Sequence, residues 1–425
     1  MGARSHLKSK RAGRGHNPGI ASREFRHMKG ARLHDRANPY LAGRRMRPPG
    51  VTGRERAADL IDSAFLAFNA GRLRESCELY TYKMLAPHAT VGVALSGAMT
   101  PAGIGSSCIV PLIEAGFIDW MISTGANMYH DLHFAFNMPL HAGSAQIPDA
   151  LLRDHRIVRI YDIFLHYDDV LLATDAVLRD ILMQPEFQME MGTAELHWKI
   201  GRYAAEYEAR AGIRGASVLA AAHRSGVPIF TSSPGDSTIG MNIAGLALRG
   251  NKLKIDPSID VNQSAAIVLG SRSQYGGGPG KSVKKGKGAG GKPRANVAGA
   301  HGALILGGGS PKNFLLQTEP QIQEILGIPD IGHDYYLQIT DARPDSGGLS
   351  GATPSEAITW GKVDPGKLPD MVVCYADTSL ALPLMTSYAL ARHPRRPLRR
   401  LYSKLGALSA NLEAAYFKHE KKSKL

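Results

Sequence analysis

Short apolar runs that end in glycine-rich or serine-rich loops constrain the fold of this chain more than any other feature. The runs lie near residues 91, 120, 227, 303, 335 and 371. Their length and their β-branched residues favour buried strands, and several segments between them have the apolar spacing of helices. This alternation predicts an α/β fold with a largely parallel, doubly wound sheet. A longer helical pattern is predicted in the middle of the chain, from residue 161 to residue 183.

Domain organisation follows from changes in composition along the 425 residues. We predict one folded domain over residues 46–395, because this length is sufficient for a complete α/β core. Residues 1–45 are predicted to be a disordered basic tail, and residues 396–425 a second basic tail. Residues 270–296 are rich in glycine and lysine and are predicted to form a flexible insertion within the domain.

The net charge of +14 is unevenly distributed along the chain. Basic residues dominate residues 1–50, 271–295 and 391–425, so the rest of the chain carries an excess of acidic residues. An acidic body attracts a cationic substrate. The basic N-terminal segment also fits a transit peptide or a tail that contacts nucleic acid through charge alone, and we expect no specific nucleic-acid site.

Cysteine spacing and hydropathy indicate the compartment. Cys77, Cys108 and Cys374 are too far apart in sequence to suggest a disulfide framework or a metal-ligand motif. No apolar run approaches the roughly 18 residues of a membrane span. We therefore expect a protein of the reducing cytoplasm that is not inserted in a membrane.

The stretch from residue 335 to residue 380 places a lysine between two predicted strands. A short predicted helix ends just before Lys362, and Trp360 lies two residues upstream. A lysine at a helix end beside an aromatic ring is well placed for amine chemistry, although an ordinary surface lysine fits the same pattern. Glu356 forms a capping box with Thr353, so its role is either structural or functional.

A second candidate site follows the predicted strand near residue 303, where the sequence reads GGGSPKN. After the three glycines, Ser310 and Pro311 are a typical N-cap and first helical residue. Glycines allow a phosphate to approach the backbone, and a helix N-terminus supplies N–H donors. A tight turn in a crowded sheet fits the same residues. The tract at residues 276–282 resembles a Walker loop only superficially, because it is not flanked by a strand and a helix.

Histidines near residue 130 suggest a metal hydrolase as one alternative. The candidate ligands are His130, Asp131, His133 and His141. The spacing of His130 and His133 matches one face of a helix, but no third ligand or glutamate base follows in a known order. We therefore predict no metal site.

Three motifs, LILGGGSPKN, SGATPSEAITWGK and YADTSLALPLM, resemble the deoxyhypusine synthase family. Weaker matches are ALSGAMTPAG, STGANMYHDL and SSPGDSTIG. The resemblance implies a single Rossmann-like domain that uses NAD as its cofactor and the polyamine spermidine as its substrate. It also implies a homotetramer with shared active sites. In this family the aminobutyl group of spermidine forms an imine with an active-site lysine and then passes to an acceptor amine, such as a protein lysine.

The resemblance also implies roles for individual residues. Lys362 matches the imine-forming lysine, Trp360 the aromatic wall of the polyamine site, and Glu356 an acidic residue that holds a substrate amine. Asn313 stands in the substrate site where the family has a histidine that assists proton transfer. The residues that match NAD contacts are Ser96, Thr100, Thr124, Gly125, Asp236, Gly308, Ser350 and Asp377. Burial beside the indole ring is expected to lower the pKa of the lysine and favour its neutral, nucleophilic form.

Several acidic residues of the family pattern are replaced in this chain. The positions concerned are Tyr129 and His130, in place of a Glu-Glu pair, and Met241 and Leu349, in place of two aspartates. Asp345 and Asn242 are candidates to compensate for these losses. The pattern resembles the prokaryotic deoxyhypusine synthase-like branch, in which a free diamine, yielding homospermidine, is an alternative acceptor. A non-catalytic family member retained as a scaffold is a further alternative.

Overall fold

The computed structural model describes residues 39–41, 43, 45–273 and 299–423. The described residues from Val51 onward belong to one compact unit, and the described residues before Val51, which include a 3₁₀ turn at Pro39–Leu41, belong to a second unit. The predicted tail over residues 1–45 and the predicted insertion over residues 270–296 lie mostly outside the described residues. No described helix is both long enough and apolar enough to cross a lipid bilayer.

The elements of the compact unit are numbered here in chain order. The strands are β1 (Ala89–Leu95), β2 (Trp120–Ser123), β3 (His141–Ala142), β4 (Ile157–Ile160), β5 (Ile163–His166), β6 (Glu190–Met191), β7 (Ile229–Thr231), β8 (Lys254–Ile255), β9 (Ala300–Leu306), β10 (Tyr335–Thr340) and β11 (Met371–Tyr375). The helices are α1 (Ala57–Ala64), α2 (Phe68–Leu79), α3 (Val110–Glu114), α4 (Gly125–Ala135), α5 (Asp149–Asp154), α6 (Ala173–Leu182), α7 (Thr193–Arg210), α8 (Val218–Ser225), α9 (Thr238–Ala247), α10 (Pro257–Ser273), α11 (Gly309–Pro320), α12 (Pro354–Thr359), α13 (Thr378–Arg392) and α14 (Leu405–Ser423).

The main sheet of the described residues has six parallel strands in the order β7-β2-β1-β9-β10-β11. Numbered by their sequence within this sheet, the strands follow the order 3-2-1-4-5-6 of a Rossmann fold. The predicted α/β class and the parallel, doubly wound sheet are therefore confirmed. The direction of winding changes between β1 and β9, where Leu95 is paired with Leu306 at the carboxyl ends of the two strands.

Alternating residues of the sheet enter two separate apolar cores. In β1, Val93 and Leu95 pack into one core, whereas Ala94 packs into the other with Trp120 and Ile305. Because helices cover both faces, almost every residue of the central strands is buried, and the strands are apolar throughout. This burial explains why short continuous apolar runs were a dependable sign of these strands.

The helix predicted from residue 161 to residue 183 is wrong in its first part. Strands β4 and β5 pair in antiparallel fashion there, and β3 pairs with the other edge of β5. Tyr161 lies in the turn between β4 and β5 with a φ of 54°. A helical turn begins only at Tyr167 and continues into α6. The short apolar runs fit the residue spacing of a helix as well as that of a strand, and the pairing of β5 with β3 favours the strand.

The segment over residues 396–425 was predicted to be a basic tail, and in the structure it packs onto the domain. The guanidinium groups of Arg396 and Arg399 lie 3.2 and 3.4 Å from the carboxylate of Asp119. Three leucines of α14 are buried in the core that also contains α10, namely Leu405, Leu408 and Leu412. Two arginines of this segment are thus paired with a buried carboxylate of the body, and the leucines of its helix are part of the core.

Candidate active site

The carboxyl ends of β1 and β9 hold a glycine turn between two serine side chains. The N–H of Gly308 donates to Ser96 Oγ at 3.1 Å, and the same hydroxyl donates to the Gly308 carbonyl. The N–H of Gly309 donates to Ser350 Oγ at 2.8 Å. A Cβ at Gly308 would lie 2.5 Å from atoms of Ser350, so only glycine fits between the serines. Three of the predicted cofactor residues are therefore in direct contact.

The loop after β1 is joined to the start of α4 by Asn127, a residue that the sequence analysis did not identify. Its Oδ1 accepts the N–H of Thr100 at 3.1 Å, and its carbonyl accepts the Thr100 hydroxyl at 2.8 Å. Thr124 is the N-cap of α4, and its hydroxyl donates to the Gly97 carbonyl at 2.5 Å. Thr100 is buried, so it supports the loop from behind, whereas Thr124 lies at the exposed end of the sheet.

The loop after β7 reaches the same edge of the sheet. A Cβ at Gly125 would lie 2.4 Å from the Cβ of Ser237, which caps α9. The hydroxyl of Ser233 lies 3.4 Å from that of Ser310, the residue after the glycine turn. Asp236 is exposed between these contacts. The loop that carries Asp236 is thus held against the glycine turn.

Asp377 lies at the end of β11, two strands away from β9 in the sheet. Its Oδ1 accepts the N–H of Ser379 at 2.7 Å, so the residue caps α13. At the usual spacing of strands, Asp377 lies about 10 Å along the edge from the glycine turn. It shares the edge with the predicted cofactor residues without a direct contact to the turn.

A cavity of about 270 Å³ adjoins the glycine turn. Its lining includes Lys312, Asn313, Leu349, Glu356, Trp360 and Lys362. The four residues that were predicted to bind the amine substrate or carry the intermediate therefore line one cavity. Lys312 is the residue in this set that the sequence analysis missed, because a lysine in the first turn of a helix gives no signal that its side chain turns inward.

Lys362 is half-buried at the wall of this cavity. Its Nζ lies 3.4 Å from Asn313 Oδ1 and 5.6 Å from the centre of the Trp360 ring. Burial lowers the pKa of Lys362, and the nearby carboxylate of Glu356 opposes part of that shift. The backbone of Lys362 is held on both sides, because its N–H donates to the Ala357 carbonyl at 3.0 Å and its carbonyl accepts the His333 N–H at 3.0 Å.

Glu356 has both of the features that its sequence suggested. Its N–H donates to Thr353 Oγ1 at 3.2 Å, as expected at the start of α12. Its carboxylate lines the cavity and accepts no hydrogen bond from the described part of the chain. Only the backbone N–H of Glu356 takes part in the helix cap, so its carboxylate is free to bind an amine. Trp360 is 64% exposed and forms an open wall, not a buried one.

A second cavity of about 270 Å³ is lined by residues of α6 and α9. It contains Met241, which stands where the resemblance predicts a substrate-binding aspartate, Asn242, which was a candidate to compensate for that loss, and also Asp175. Asp175 Oδ1 accepts hydrogen bonds from Asn242 Nδ2 and from the hydroxyl of Tyr129, both at 2.9 Å. Arg179 also lines this cavity, together with Arg249. The positions that were predicted to contact the substrate therefore line two different cavities of the chain.

The remaining replacements have simple structural consequences. Leu349 gives the first cavity an apolar side chain, and it is 51% exposed. Asp345 forms an ion pair with Arg343 at 2.8 Å and does not line that cavity, so it does not take the place of the missing acid. His130 contacts His133, with 3.0 Å between Nδ1 and Nε2, and burial lowers the pKa of His130 to about 4.

The residues proposed for a metal hydrolase serve the packing of helices. Asp131 is buried and accepts hydrogen bonds from the N–H groups of Val218 and Leu219, at 2.7 and 2.9 Å, at the start of α8. His133 Nδ1 lies 2.9 Å from the hydroxyl of Thr174. Among the described residues, no group of three or more potential metal ligands is arranged around a common point.

Comparison with known proteins identifies the family. The model of the deoxyhypusine synthase family matches residues 60–277 and 294–389. The chain is 51% identical over 374 residues to a deoxyhypusine synthase-like protein of Nostoc punctiforme, covering 88% of this chain and 90% of the relative. It is 52% identical over 367 residues to a protein of the same description from Thermosynechococcus vestitus, covering 86% of each.

A more distant relative is the probable deoxyhypusine synthase 2 of Methanosarcina acetivorans. It is 33% identical over 337 residues, which cover 77% of this chain and 85% of the relative. This chain, in which several acidic residues of the family pattern are replaced, is therefore more similar to the two deoxyhypusine synthase-like proteins than to this archaeal protein. The chain belongs to the deoxyhypusine synthase family, within its prokaryotic deoxyhypusine synthase-like branch.

Proposed function

We propose that this protein is an NAD-dependent transferase that moves the aminobutyl group of spermidine, through Lys362, to an acceptor amine. The observation that carries the proposal is the cavity in which Lys362 Nζ lies 3.4 Å from Asn313 Oδ1, with the carboxylate of Glu356, which has no ion-pair partner among the described residues, in the same wall. This cavity adjoins the glycine turn at the point where the sheet changes direction, where ligands of such sheets bind.

The proposed reaction uses Lys362 as a nucleophile. Spermidine first loses two hydrogens and becomes an imine. Lys362 adds to the imine carbon and 1,3-diaminopropane departs, which leaves the four-carbon unit bound to the lysine as an imine. The acceptor amine then displaces Lys362, and reduction gives the product. The lowered pKa of Lys362 supports this role, because only a neutral amine attacks.

The residues at the carboxyl edge of the sheet suit NAD. When bound, NAD would take up the hydride from spermidine and return it at the end. The glycine turn has no side chains that would keep a pyrophosphate from the backbone, and the hydroxyls of Ser96 and Ser350 lie against it. The residues proposed to hold the cofactor are Ser96, Thr124, Gly125, Asp236, Gly308, Ser350 and Asp377. For Thr100 we propose a supporting role, since its hydroxyl donates to the carbonyl of Asn127.

A homotetramer with shared active sites is also part of the proposal. The family positions for the substrate lie in two cavities of one chain, so a second subunit is proposed to bring its Met241 and Asn242 to the Lys362 of the first. Large apolar side chains exposed at both cavities support this arrangement, since Trp360 is 64% exposed and Met241 is 66% exposed.

For the acceptor, we propose that a small diamine such as putrescine reacts at least as well as a protein lysine. Leu349 and Met241 remove two negative charges that would bind ammonium groups. Each lost contact of this kind is worth roughly 1.5–3 kcal/mol, or about ten- to a hundredfold in affinity. Within the two cavities, Glu356 and Asp175 are the carboxylates that line the walls. Homospermidine is the expected product with putrescine.

The test is to incubate the protein with NAD and spermidine labelled in the aminobutyl group, with putrescine or with a hypusine-type precursor protein. Labelled homospermidine supports the diamine acceptor. Label on the precursor protein alone identifies a conventional deoxyhypusine synthase. No labelled product and no release of 1,3-diaminopropane would support the non-catalytic alternative.

A further inference from the structure

Lys312 is a buried lysine between the glycine turn and the cavity of Lys362. It lies in the first turn of α11, and 3% of it is exposed to solvent. Its Nζ donates to three neutral acceptors, Gln338 Oε1 at 3.1 Å, the Ser350 carbonyl at 3.1 Å and the Ala352 carbonyl at 2.6 Å. All three hydrogens of its ammonium group are therefore used within the chain.

This position is unfavourable for a cation. Burial in a low-dielectric environment disfavours the charge, and the N-terminal end of a helix is electrostatically positive. The pKa of Lys312 is lowered to about 8, mainly by burial, with Glu356 opposing the shift and the charge of Lys362 adding to it. At neutral pH the ammonium group is still mostly protonated. The three hydrogen bonds compensate for the burial of this charge.

Gln338 of β10 extends the contacts of Lys312. Its Nε2 donates to the Ser350 carbonyl at 2.8 Å and to the Gly307 carbonyl at 2.9 Å. Its Oε1 also accepts the hydroxyl of Tyr336 at 2.6 Å, so the amide is held in one orientation. Lys312 and Gln338 together bind the glycine turn, strand β10 and the loop over residues 348–353 to one another.

The two ends of that loop belong to different halves of the site. Ser350 contacts the glycine turn through its hydroxyl. Thr353 begins α12, which carries Glu356 and leads to Lys362. The carbonyls of Ser350 and Ala352, which bind Lys312, lie between these two halves. Any movement of the loop would change the distance between them.

We propose that Lys312 is a positioning residue, whose ammonium group clamps the loop over residues 348–353 onto the glycine turn and so sets the spacing between the cofactor half and the amine half of the site. The inference rests on the proposed function only for the identification of one half of the site with the cofactor and the other half with the amine substrate. The clamp itself is a matter of structure, so it can be tested without any substrate.

The substitution Lys312→Met tests the clamp, because methionine has a similar length and no N–H donor. The Ser350 carbonyl keeps its bond from Gln338, but the Ala352 carbonyl loses its bond from Nζ. In the full-length protein without added ligands, amide hydrogen exchange over residues 343–353 is expected to become faster by about tenfold, as for one lost charge-assisted bond. Exchange over residues 371–392 is expected to stay unchanged.

Lys199→Met is the matched control. Lys199 on α7 also donates to a backbone carbonyl, that of Glu186 at 2.6 Å, but it lies outside the candidate site. This variant is expected to leave exchange over residues 343–353 unchanged. Lys312→Arg serves as a second variant if the methionine variant does not fold. It keeps the charge, but a planar guanidinium cannot direct three donors from one nitrogen, so the loop is again expected to exchange faster.

Two functional readouts complete the test. With Lys312→Met, we expect the Kd of NAD to rise by about tenfold and borohydride trapping of the spermidine-derived imine on Lys362 to slow at saturating NAD. Unchanged exchange over residues 343–353 in both Lys312 variants would overturn the proposal. So would faster exchange with unchanged NAD affinity and unchanged trapping. If the wild-type protein neither binds NAD nor traps an adduct, the proposed function fails, and the exchange result alone decides whether the clamp exists.

Discussion

Ser96 and Gly308 are 212 residues apart in the chain, and the hydroxyl of one binds both backbone polar groups of the other. The Gly308 N–H donates to Ser96 Oγ at 3.1 Å, and Ser96 Oγ donates to the Gly308 carbonyl. These residues follow β1 and β9, the two strands between which the sheet changes direction. The contact therefore lies at the crevice at which a Rossmann-type sheet binds its ligand.

Gly308→Ala is expected to disturb this crevice. A Cβ at this position would lie 2.5 Å from Ser350, whose backbone must then shift. We expect stability to fall by about 1–3 kcal/mol and NAD affinity to fall by roughly two orders of magnitude. Thermal unfolding and NAD titration measure the two effects. Gly406→Ala in α14, where a Cβ meets no atom within 4 Å, is the control and is expected to change neither by much. Wild-type NAD affinity in Gly308→Ala would refute the proposed cofactor site.

Lys362→Ala is expected to abolish aminobutyl transfer and to leave NAD binding intact, because the lysine carries the intermediate and not the cofactor. Lys362→Arg is expected to be nearly as inactive, since arginine does not lose its proton at accessible pH. Borohydride added during turnover should leave a mass addition on Lys362 of the wild-type protein. The matched control is Lys367→Ala, because Lys367 Nζ lies 5.7 Å from the ring centre of Tyr335, much as Lys362 lies beside Trp360. Normal turnover of Lys362→Ala would make this residue an ordinary surface lysine.

The pH dependence of imine formation is expected to respond to Glu356. The rate should rise with pH as Lys362 loses its proton, with a midpoint below that of a free lysine, because burial lowers its pKa. The carboxylate of Glu356 raises that pKa, so Glu356→Gln should move the rising limb to lower pH. Single-turnover trapping at saturating spermidine measures the limb. Asp345→Asn is the control, because Asp345 pairs with Arg343 outside the cavity, and it should leave the limb in place. A shift of the limb to higher pH in Glu356→Gln would contradict the assignment.

The C-terminal helix is expected to be necessary for stability. Leu408 is buried, and its Cδ2 lies only 2.4 Å from the point where a Cβ of Gly270 would stand. Leu408→Ala should lower the free energy of unfolding by about 2–5 kcal/mol, as for other buried leucines. Phe417→Ala is the control on the same helix, because Phe417 is 48% exposed, and it should cost less than about 1 kcal/mol. Equal stability of Leu408→Ala and the wild type would restore the view of this segment as a tail.

The strands of the main sheet could be predicted from sequence because their signal is local. A buried parallel strand needs a short apolar run, and a loop needs residues that end that run. The cap at Thr353 was likewise visible, since Thr353 and Glu356 interact within one turn of the chain. Lys362 stood out because its motif combines a lysine, an indole ring and a carboxylate within a few residues.

Where the local sequence pattern is weak or ambiguous, the secondary structure of a segment depends on the elements with which it pairs or packs. The apolar residues near Tyr161 fit a helix as well as a strand, and antiparallel pairing along both edges of β5 made them strands. The leucines of α14 are spaced as in an amphipathic helix, but basic residues around them concealed the pattern. Their burial depends on α10, which lies far away in sequence.

The fold class, the parallel strands and the residue types of the candidate site could be predicted from the order of the amino acids alone. Tertiary structure decided which of those residues meet. It joined Ser96 to Gly308, turned Lys312 inward toward the Ser350 carbonyl, and separated Met241 from Lys362 into different cavities. The difference arises from the distance along the chain over which each interaction acts. Strand and helix signals arise among neighbours in the chain, whereas hydrogen bonds between loops depend on the order of strands in the sheet, which no local pattern records.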